Sequence, residues 1–118
     1  MSLVRPIFRH IADGQLSGVA SAITLMEVLV KPLGLGEMAL ADQYRNLLTG
    51  SENFAMMPVT ETIAETAADL RARYNLRTAD AIVAATAIGS GCQALVTNDG
   101  RLPRVTELRI IFLNNTVL

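Results

Sequence analysis

The architecture of this chain follows from one alanine-rich run, Leu76-Arg77-Thr78-Ala79-Asp80-Ala81-Ile82-Val83-Ala84-Ala85-Thr86-Ala87-Ile88. The run predicts a helix with Thr78 as its N-cap, and Gly89 and Gly91 are placed to end it. It is apolar on nearly every side, which predicts that the helix is buried. Because alanine side chains are small, we expect neighbouring backbones to pack closely against it.

Asp80 is the only charged residue between Thr78 and Cys92. A carboxylate in a buried helix is costly unless something compensates its charge. Its position in the first turn helps, since the positive end of the helix dipole and free N–H groups lie there. A metal ion or a positively charged partner would compensate it further. Asp80 is therefore a candidate site residue, and the structural alternative is a plain helix-start acid.

A second run, Ala94-Leu95-Val96-Thr97, predicts a short strand that leads into Asn98-Asp99-Gly100. Ligands of open α/β sheets bind just outside the carboxyl ends of the strands, and Asp99 occupies such an end. The structural alternative is a turn residue, because Asp-Gly is a common turn pair. Asp99 and Asp80, one at a strand end and one at a helix start, are placed to face the same crevice.

Glu27 is the third acid in an unusual place. Ser21 is predicted to cap a helix that runs to about Lys31 and ends at Pro32. Helical spacing puts Glu27 on one stripe with apolar residues, namely Ile23, Met26 and Val30. The structural alternative is a carboxylate at the edge of that stripe, reaching water.

The remaining elements alternate along the chain. Helices are predicted at residues 4–12 and 36–48, and after a cap at Thr60 or Thr62, where Thr62 and Glu65 match a capping box. Further strands are predicted at residues 18–20, 54–59 and 108–113. Strands that alternate with helices predict an α/β fold with a parallel sheet covered by helices on both faces.

Composition narrows the class of protein. The 118 residues are 51% hydrophobic and 18% charged, which fits one globular domain with one core. No apolar run is long enough to span a bilayer, and no signal-peptide pattern opens the chain. The sequence has one cysteine, Cys92, which cannot form an internal disulfide. We therefore expect a cytoplasmic location. A net charge of −1 gives no overall basic field for nucleic acid, although the basic residues are almost all arginine.

One glycine-rich stretch of the sequence matches a nucleotide-binding motif. Gly34-Leu35-Gly36-Glu37-Met38-Ala39 matches a dinucleotide-binding fingerprint, but no strand leads directly into it, so a glycine-rich join between two helices is the simpler interpretation. One histidine and one cysteine cannot build a zinc cluster or a Ser-His-Asp arrangement. The acids remain, and converging carboxylates select hard cations such as Mg²⁺ or Mn²⁺.

These acidic segments resemble a known family. The segments are Thr24-Leu25-Met26-Glu27-Val28-Leu29, Leu76-Arg77-Thr78-Ala79-Asp80-Ala81-Ile82 and Leu95-Val96-Thr97-Asn98-Asp99. In order and spacing, from about residue 4 to residue 113, they resemble the successive motifs of PIN-domain ribonucleases, and most of all the VapC-type toxins of bacterial toxin–antitoxin pairs. The resemblance implies a three-layer α/β/α fold and cleavage of RNA that depends on Mg²⁺ or Mn²⁺.

The resemblance also assigns roles to residues. It maps Glu27, Asp80 and Asp99 onto metal-site acids, and Thr97 and Asn98 onto small polar residues that line the site. It implies an RNA substrate, an antitoxin partner and a homodimer. Two arginines, Arg77 and Arg101, are candidates for guiding the RNA backbone, with solvated surface arginines as the alternative.

The chain departs from the family at its start. PIN domains open with a central strand that ends in an aspartate, whereas Met1-Ser2-Leu3 leads here straight into a segment that resembles the later helical part. Residues 1–118 are therefore expected to form a single PIN-like domain without the first, central strand. That gap would expose unpaired strand edges, and our hypothesis is that a second chain covers them.

Two functions remain at this stage. The first is a metal-dependent ribonuclease of the PIN type, in which Glu27, Asp80 and Asp99 hold one or two ions. The second is a non-catalytic PIN-like module that binds a partner protein, which the absence of a residue matching the first aspartate favours. The three acids favour the enzyme, because a purely structural domain has little use for buried carboxylates.

Overall fold

Strands and helices alternate in the computed structural model, which describes residues 9–11, 13–15, 17–92, 94–97, 105–107 and 109–112. The elements are β1 (Gly18–Ser21), α1 (Ala22–Gly34), α2 (Met38–Gly50), β2 (Phe54–Met57), α3 (Glu61–Tyr74), α4 (Thr78–Gly89), β3 (Ala94–Thr97) and β4 (Arg109–Phe112). The predicted α/β class is confirmed. Of the helix predicted at 4–12, the described part is a helical turn at residues 9–11. None of the described helices has the length and apolar character needed to cross a membrane.

The four strands form two separate parallel pairs. Gly18 of β1 lies opposite Phe54 of β2, and Ala94 of β3 lies opposite Arg109 of β4. The predicted parallel pairing is confirmed. Among the described residues, no strand joins the two pairs into one sheet, so β1 and β3 each keep one edge without a described strand partner.

The first pair is closely packed at Gly18. Its N–H donates to the carbonyl of Asn53 (2.8 Å), and the Asn53 side-chain amide donates to the carbonyl of Ile11 (3.0 Å). A Cβ atom at Gly18 would lie 2.9 Å from Ile11 Cδ1 and closer still to the ring of Phe54. Only glycine lets β1, β2 and the helical turn at Ile11 approach each other this closely.

Helix α4 lies at the centre of the core, as its alanines predicted. Ala81, Ala84 and Ala85 are fully buried, and α4 packs along α3, where Leu70 is also fully buried. Helix α4 also contacts β1, β3 and α1. The small side chains therefore allow one helix to join elements from both strand pairs.

Several helix boundaries differ from the predictions. Ser21 caps α1 as predicted, but Pro32 does not end the helix, which continues to Gly34. A proline near the end of a helix removes only one backbone hydrogen bond, and burial of the Pro32 ring offsets that loss. Helix α2 begins at Met38 rather than at residue 36, since Gly36 has a φ of +74°, outside the helical region.

The predicted capping box before α3 is wrong. Thr60 is the N-cap, and its hydroxyl accepts from the N–H of Ile63 (3.2 Å). Thr62 therefore lies inside the helix and cannot cap it with Glu65. Strand β2 stops before Pro58, because proline has no N–H for the ladder.

A polar network attaches the turn at residues 105–107 to α3. Val105 is buried in the core, while the hydroxyl of Tyr74 donates to Glu107 (2.6 Å). The Arg73 guanidinium donates to both Asp69 (2.9 Å) and Glu107 and lies 4.9 Å from the Tyr74 ring centre. The bond from Arg73 and the bond from Tyr74 lower the pKa of Glu107 to about 2.

Gly18→Ala is expected to lower the free energy of unfolding by about 1–3 kcal/mol, the usual cost of overpacking a close contact. Urea denaturation of the variant and the wild type measures this difference. Gly34→Ala is the matched control, because a Cβ there meets nothing within 4 Å. The control is expected to be neutral or to add up to about 1 kcal/mol. Equal stabilities for the two variants would contradict the close approach at β1.

Glu107→Gln is expected to remove a pH-dependent part of the stability. The carboxyl has a pKa of about 2 in the folded chain and 4.5 ordinarily, so its contribution is present above about pH 4.5. That contribution is lost as the pH falls towards 2. Urea denaturation at several pH values should therefore show the wild type and the variant converging in acid. Glu65→Gln, which removes another exposed α3 carboxylate, is the control, and convergence of the same size there would contradict the prediction.

Candidate active site

Glu27 lies on the exposed surface of α1. The helix begins at Ser21, which is buried and whose hydroxyl accepts from the N–H of Ile23 (3.2 Å). Its stripe neighbours Met26 and Val30 are 56% and 62% exposed, so the predicted apolar stripe lies on the surface rather than in the core. Glu27 itself is exposed, as the structural alternative predicted. In this position the carboxylate is open to an ion or a ligand from solvent.

Asp80 lies in the first turn of α4, with 23% of its side chain exposed. The Nε of Arg77 lies 3.4 Å from Asp80 Oδ2, so a positively charged side chain compensates the carboxylate, as the sequence suggested it must. The predicted N-cap is wrong, because Arg77 holds that position without a side-chain capping bond. The hydroxyl of Thr78 instead accepts from Arg71 Nη1 (3.1 Å).

The structure brings the helices of Glu27 and Asp80 together, since α1 and α4 contact each other. Thr97 is the last residue of β3 and so lies at the carboxyl end of that strand, where sites of α/β folds are found. Three predicted site residues lie outside the described residues: Asn98, Asp99 and Arg101. In the described ranges, no three His, Cys, Asp or Glu residues form a group that could hold a metal ion.

A match to a family model shows to which family this chain belongs. The model of the PIN domain matches residues 4–108. The chain belongs to the PIN domain family. The resemblance seen in the acidic segments is thereby confirmed.

A solved structure is similar to this PIN domain. It is described as a toxin–antitoxin complex from Klebsiella pneumoniae, with 27% sequence identity and a TM-score of 0.62. The match covers 77% of this chain and 69% of the other. A comparison with curated proteins gives no match. Together with the family model, this neighbour supports the predicted likeness to VapC-type toxins.

The candidate ligand atoms of this PIN domain are of the kind that binds a hard divalent cation. Glu27 and Asp80 offer carboxylate oxygens, which Mg²⁺ and Mn²⁺ prefer. A softer ligand, Cys92, follows the opposite end of α4, and burial raises the pKa of its thiol. The described residues supply two of the three predicted acids, and Asp99 would be the third.

The glycine motif at residues 34–39 is not a dinucleotide site. Gly34 is the last residue of α1, and Gly36 lies in the turn before α2 with a φ of +74°. The fingerprint needs a strand, a tight turn and a helix in succession, and here a helix precedes the turn. The glycine-rich join between two helices is confirmed.

Sequence reasoning missed the part played by Arg71. Its Nε donates to the carbonyl of Leu76 (2.9 Å), in addition to the bond from Nη1 to Thr78. A signal was present, because an arginine in the last turn of a helix can satisfy carbonyls at the helix end. The contact to the following helix crosses a turn, so no helical periodicity reveals it.

Proposed function

We propose that this PIN domain is a Mg²⁺- or Mn²⁺-dependent ribonuclease that hydrolyses RNA phosphodiester bonds. The observation that carries the proposal is the placement of Glu27 and Asp80 on two contacting helices of a PIN domain. Asp99 is proposed as the third metal ligand, with Thr97 and Asn98 lining the site. We also propose that residues 1–118 form one domain and that the protein is located in the cytoplasm.

Each proposed ligand has a distinct environment. Asp80 lies in the first turn of a buried helix, where the positive end of the helix dipole attracts an acidic side chain. Glu27 is exposed and lies on a capped helix, so it can reach an ion without disturbing the core. A bound divalent ion supplies neutralisation of the charge that develops during phosphodiester hydrolysis and helps to activate water.

Arginine side chains would guide the RNA. The side chain of Arg77 is 67% exposed beside Asp80, so its guanidinium can meet a phosphate where the carboxylates hold the ion. Arg101 is proposed for the same role. Local arginines suit a chain whose net charge gives no general attraction to RNA.

An antitoxin-type protein is the proposed partner. Large apolar side chains lie exposed from α1 into the start of α2, on Met26, Val30, Leu33, Leu35 and Met38. Exposed apolar side chains that lie close together on a surface are typical of protein-binding sites. The solved neighbour is described as a toxin–antitoxin complex, which supports a protein partner of this kind. We propose that the partner covers this surface with the apolar face of a helix.

The alternative is a non-catalytic PIN-like module that only binds a partner protein. The observation that favours it is the exposed apolar surface on α1. In that case Glu27 and Asp80 would bind no ion.

A homodimer is also proposed. The edges of β1 and β3 that have no strand partner among the described residues are places where another strand can add by backbone hydrogen bonds. A second copy of the chain, through contact or exchange of an element, is the proposed occupant.

Wild-type protein with Mn²⁺ is expected to cleave a mixed RNA, and Asp80→Asn is expected to lower the rate about 10²- to 10³-fold, as for loss of a charge-stabilising group. Gel analysis of the RNA measures the rate. Asp42→Asn is the matched control, since Asp42 pairs with Arg45 on the surface of α2 (2.6 Å) and should leave cleavage intact.

Metal binding separates the enzyme from the binding module. A metal site should raise the melting temperature of the wild type when Mn²⁺ is added, and Asp80→Asn should reduce that rise. Folded wild-type protein that neither cleaves RNA nor gains stability from Mn²⁺ would overturn the ribonuclease and leave the protein-binding module.

Val19→Pro is expected to raise the dissociation constant of the dimer tenfold or more, on the order of 1.4 kcal/mol. Sedimentation velocity over a range of concentrations measures this constant. The N–H of Gly18 points towards β2, so the N–H of the next residue points to the open edge of β1. Ala20→Pro is the control, because it removes an N–H that faces β2 and should lower the melting temperature instead. A wild-type chain that stays monomeric across the concentration range would contradict the dimer.

A further inference from the structure

Arg71 makes three hydrogen bonds around the turn between α3 and α4. Its backbone carbonyl accepts from the N–H of Asn75 (2.9 Å), and its Nε donates to the carbonyl of Leu76 (2.9 Å). Its Nη1 donates to the hydroxyl of Thr78, the first residue of α4 (3.1 Å). One residue at the end of α3 therefore holds both the turn and the start of the next helix.

The turn that Arg71 holds is short and tightly constrained. Asn75 is in the left-handed region with a φ of +54°, and it ends α3. Leu76 is buried in the core, so the turn is anchored from inside by an apolar side chain and from outside by the guanidinium. Helix α4 begins directly after this turn, so the direction of its first turn depends on these contacts.

We propose that Arg71 is a positioning residue for Asp80. Asp80 lies in the first turn of α4, two positions after Thr78 and within the segment whose start Arg71 fixes. Arg71 acts through the Leu76 carbonyl and the Thr78 hydroxyl. The proposal rests on the proposed function, because the position that matters is the one in which the Asp80 carboxylate holds a divalent ion.

The affinity of a metal site depends on contacts, like those of Arg71, that hold its ligands in place. Ligands bind an ion well only when their own side chains and backbone are held in place, and loss of a supporting contact costs metal affinity even where the fold survives. The first turn of a helix is where support is weakest, since its N–H groups have no partners within the helix. Arg77 makes no side-chain capping hydrogen bond to α4, and the contact from Arg71 to the Thr78 hydroxyl adds support at the first residue of the helix.

Arg73 provides a matched comparison within the same helix end. It lies in the last turn of α3, like Arg71, and its guanidinium also makes several hydrogen bonds. Those bonds go to Asp69 and Glu107, and so they hold the turn at residues 105–107 rather than the start of α4. Loss of Arg73 should therefore reduce stability without moving Asp80.

The experiment measures Mn²⁺ affinity by calorimetric titration of the full chain, with the melting temperature and the hydrogen exchange of the Ala81 amide recorded for each variant. The Ala81 N–H donates to the Arg77 carbonyl (2.9 Å) and so reports on the first turn of α4. Arg71→Met is expected to weaken Mn²⁺ binding about tenfold and to speed exchange at Ala81. Arg71→Lys keeps a charge but not the planar fork, and should recover part of the affinity.

Two further variants keep the test decisive. Thr78→Val removes only the acceptor at the start of α4, so it should weaken Mn²⁺ binding in the same direction even if Arg71→Met folds poorly. Arg73→Met should lower the melting temperature and leave the Mn²⁺ affinity within about twofold of the wild type, since its contacts lie elsewhere.

The outcomes separate the two proposals. If Arg71→Met and Thr78→Val bind Mn²⁺ with the affinity of the wild type, the positioning role is overturned and the metal site stands. Equal losses of affinity in Arg71→Met and Arg73→Met also overturn it, because they would reflect general destabilisation. Wild-type protein that binds no Mn²⁺ overturns the proposed metal site itself.

Discussion

The close packing of α4 against α3 is the constraint on which the rest of the structure depends. Ala81, Ala84 and Ala85 are fully buried, and a Cβ at Gly89 would lie 2.9 Å from Ile63 Cδ1 on α3. Side chains this small let the two helices approach closely, and α4 also contacts β1 and β3. Larger residues along α4 would separate the helices and both strand pairs at once. The position of the first turn of α4, and of Asp80 within it, follows from this packing.

Local patterns in the sequence predicted the elements well where neighbouring residues alone decide them. Ala94–Thr97 is a strand with the predicted bounds, and Ser21 caps its helix as predicted, because apolar alternation and capping act within a few residues. The helix continues past Pro32 because burial of the ring offsets its cost, and burial depends on the fold as a whole. Thr78 lies inside α4 because Arg77 is the N-cap, and the Thr78 hydroxyl accepts from Arg71 of the preceding helix.

The candidate site could be predicted in chemistry but only partly in geometry. The unusual placement of Asp80 pointed to a compensating charge, and Arg77 provides one at 3.4 Å. The exposure of Glu27 could not be predicted from the apolar residues on its face of the helix. Helical spacing shows which residues share a face but not what covers that face. The position of Arg71 in the last turn of α3 is a signal for a carbonyl contact, but its bond to Thr78 depends on how the turn folds back. The role of Asp99 stays a prediction.

The division of the strands into two parallel pairs has a consequence for cooperativity. Pairing of β1 with β2 closes the chain over residues 22–53, whereas pairing of β3 with β4 closes it over residues 98–108. Each pair can therefore form and open as its own unit, with its own loop-closure entropy. Helix α4 contacts a strand of each pair and so carries the coupling between the two units. Fraying of α4 is therefore expected to uncouple the two described strand pairs from each other.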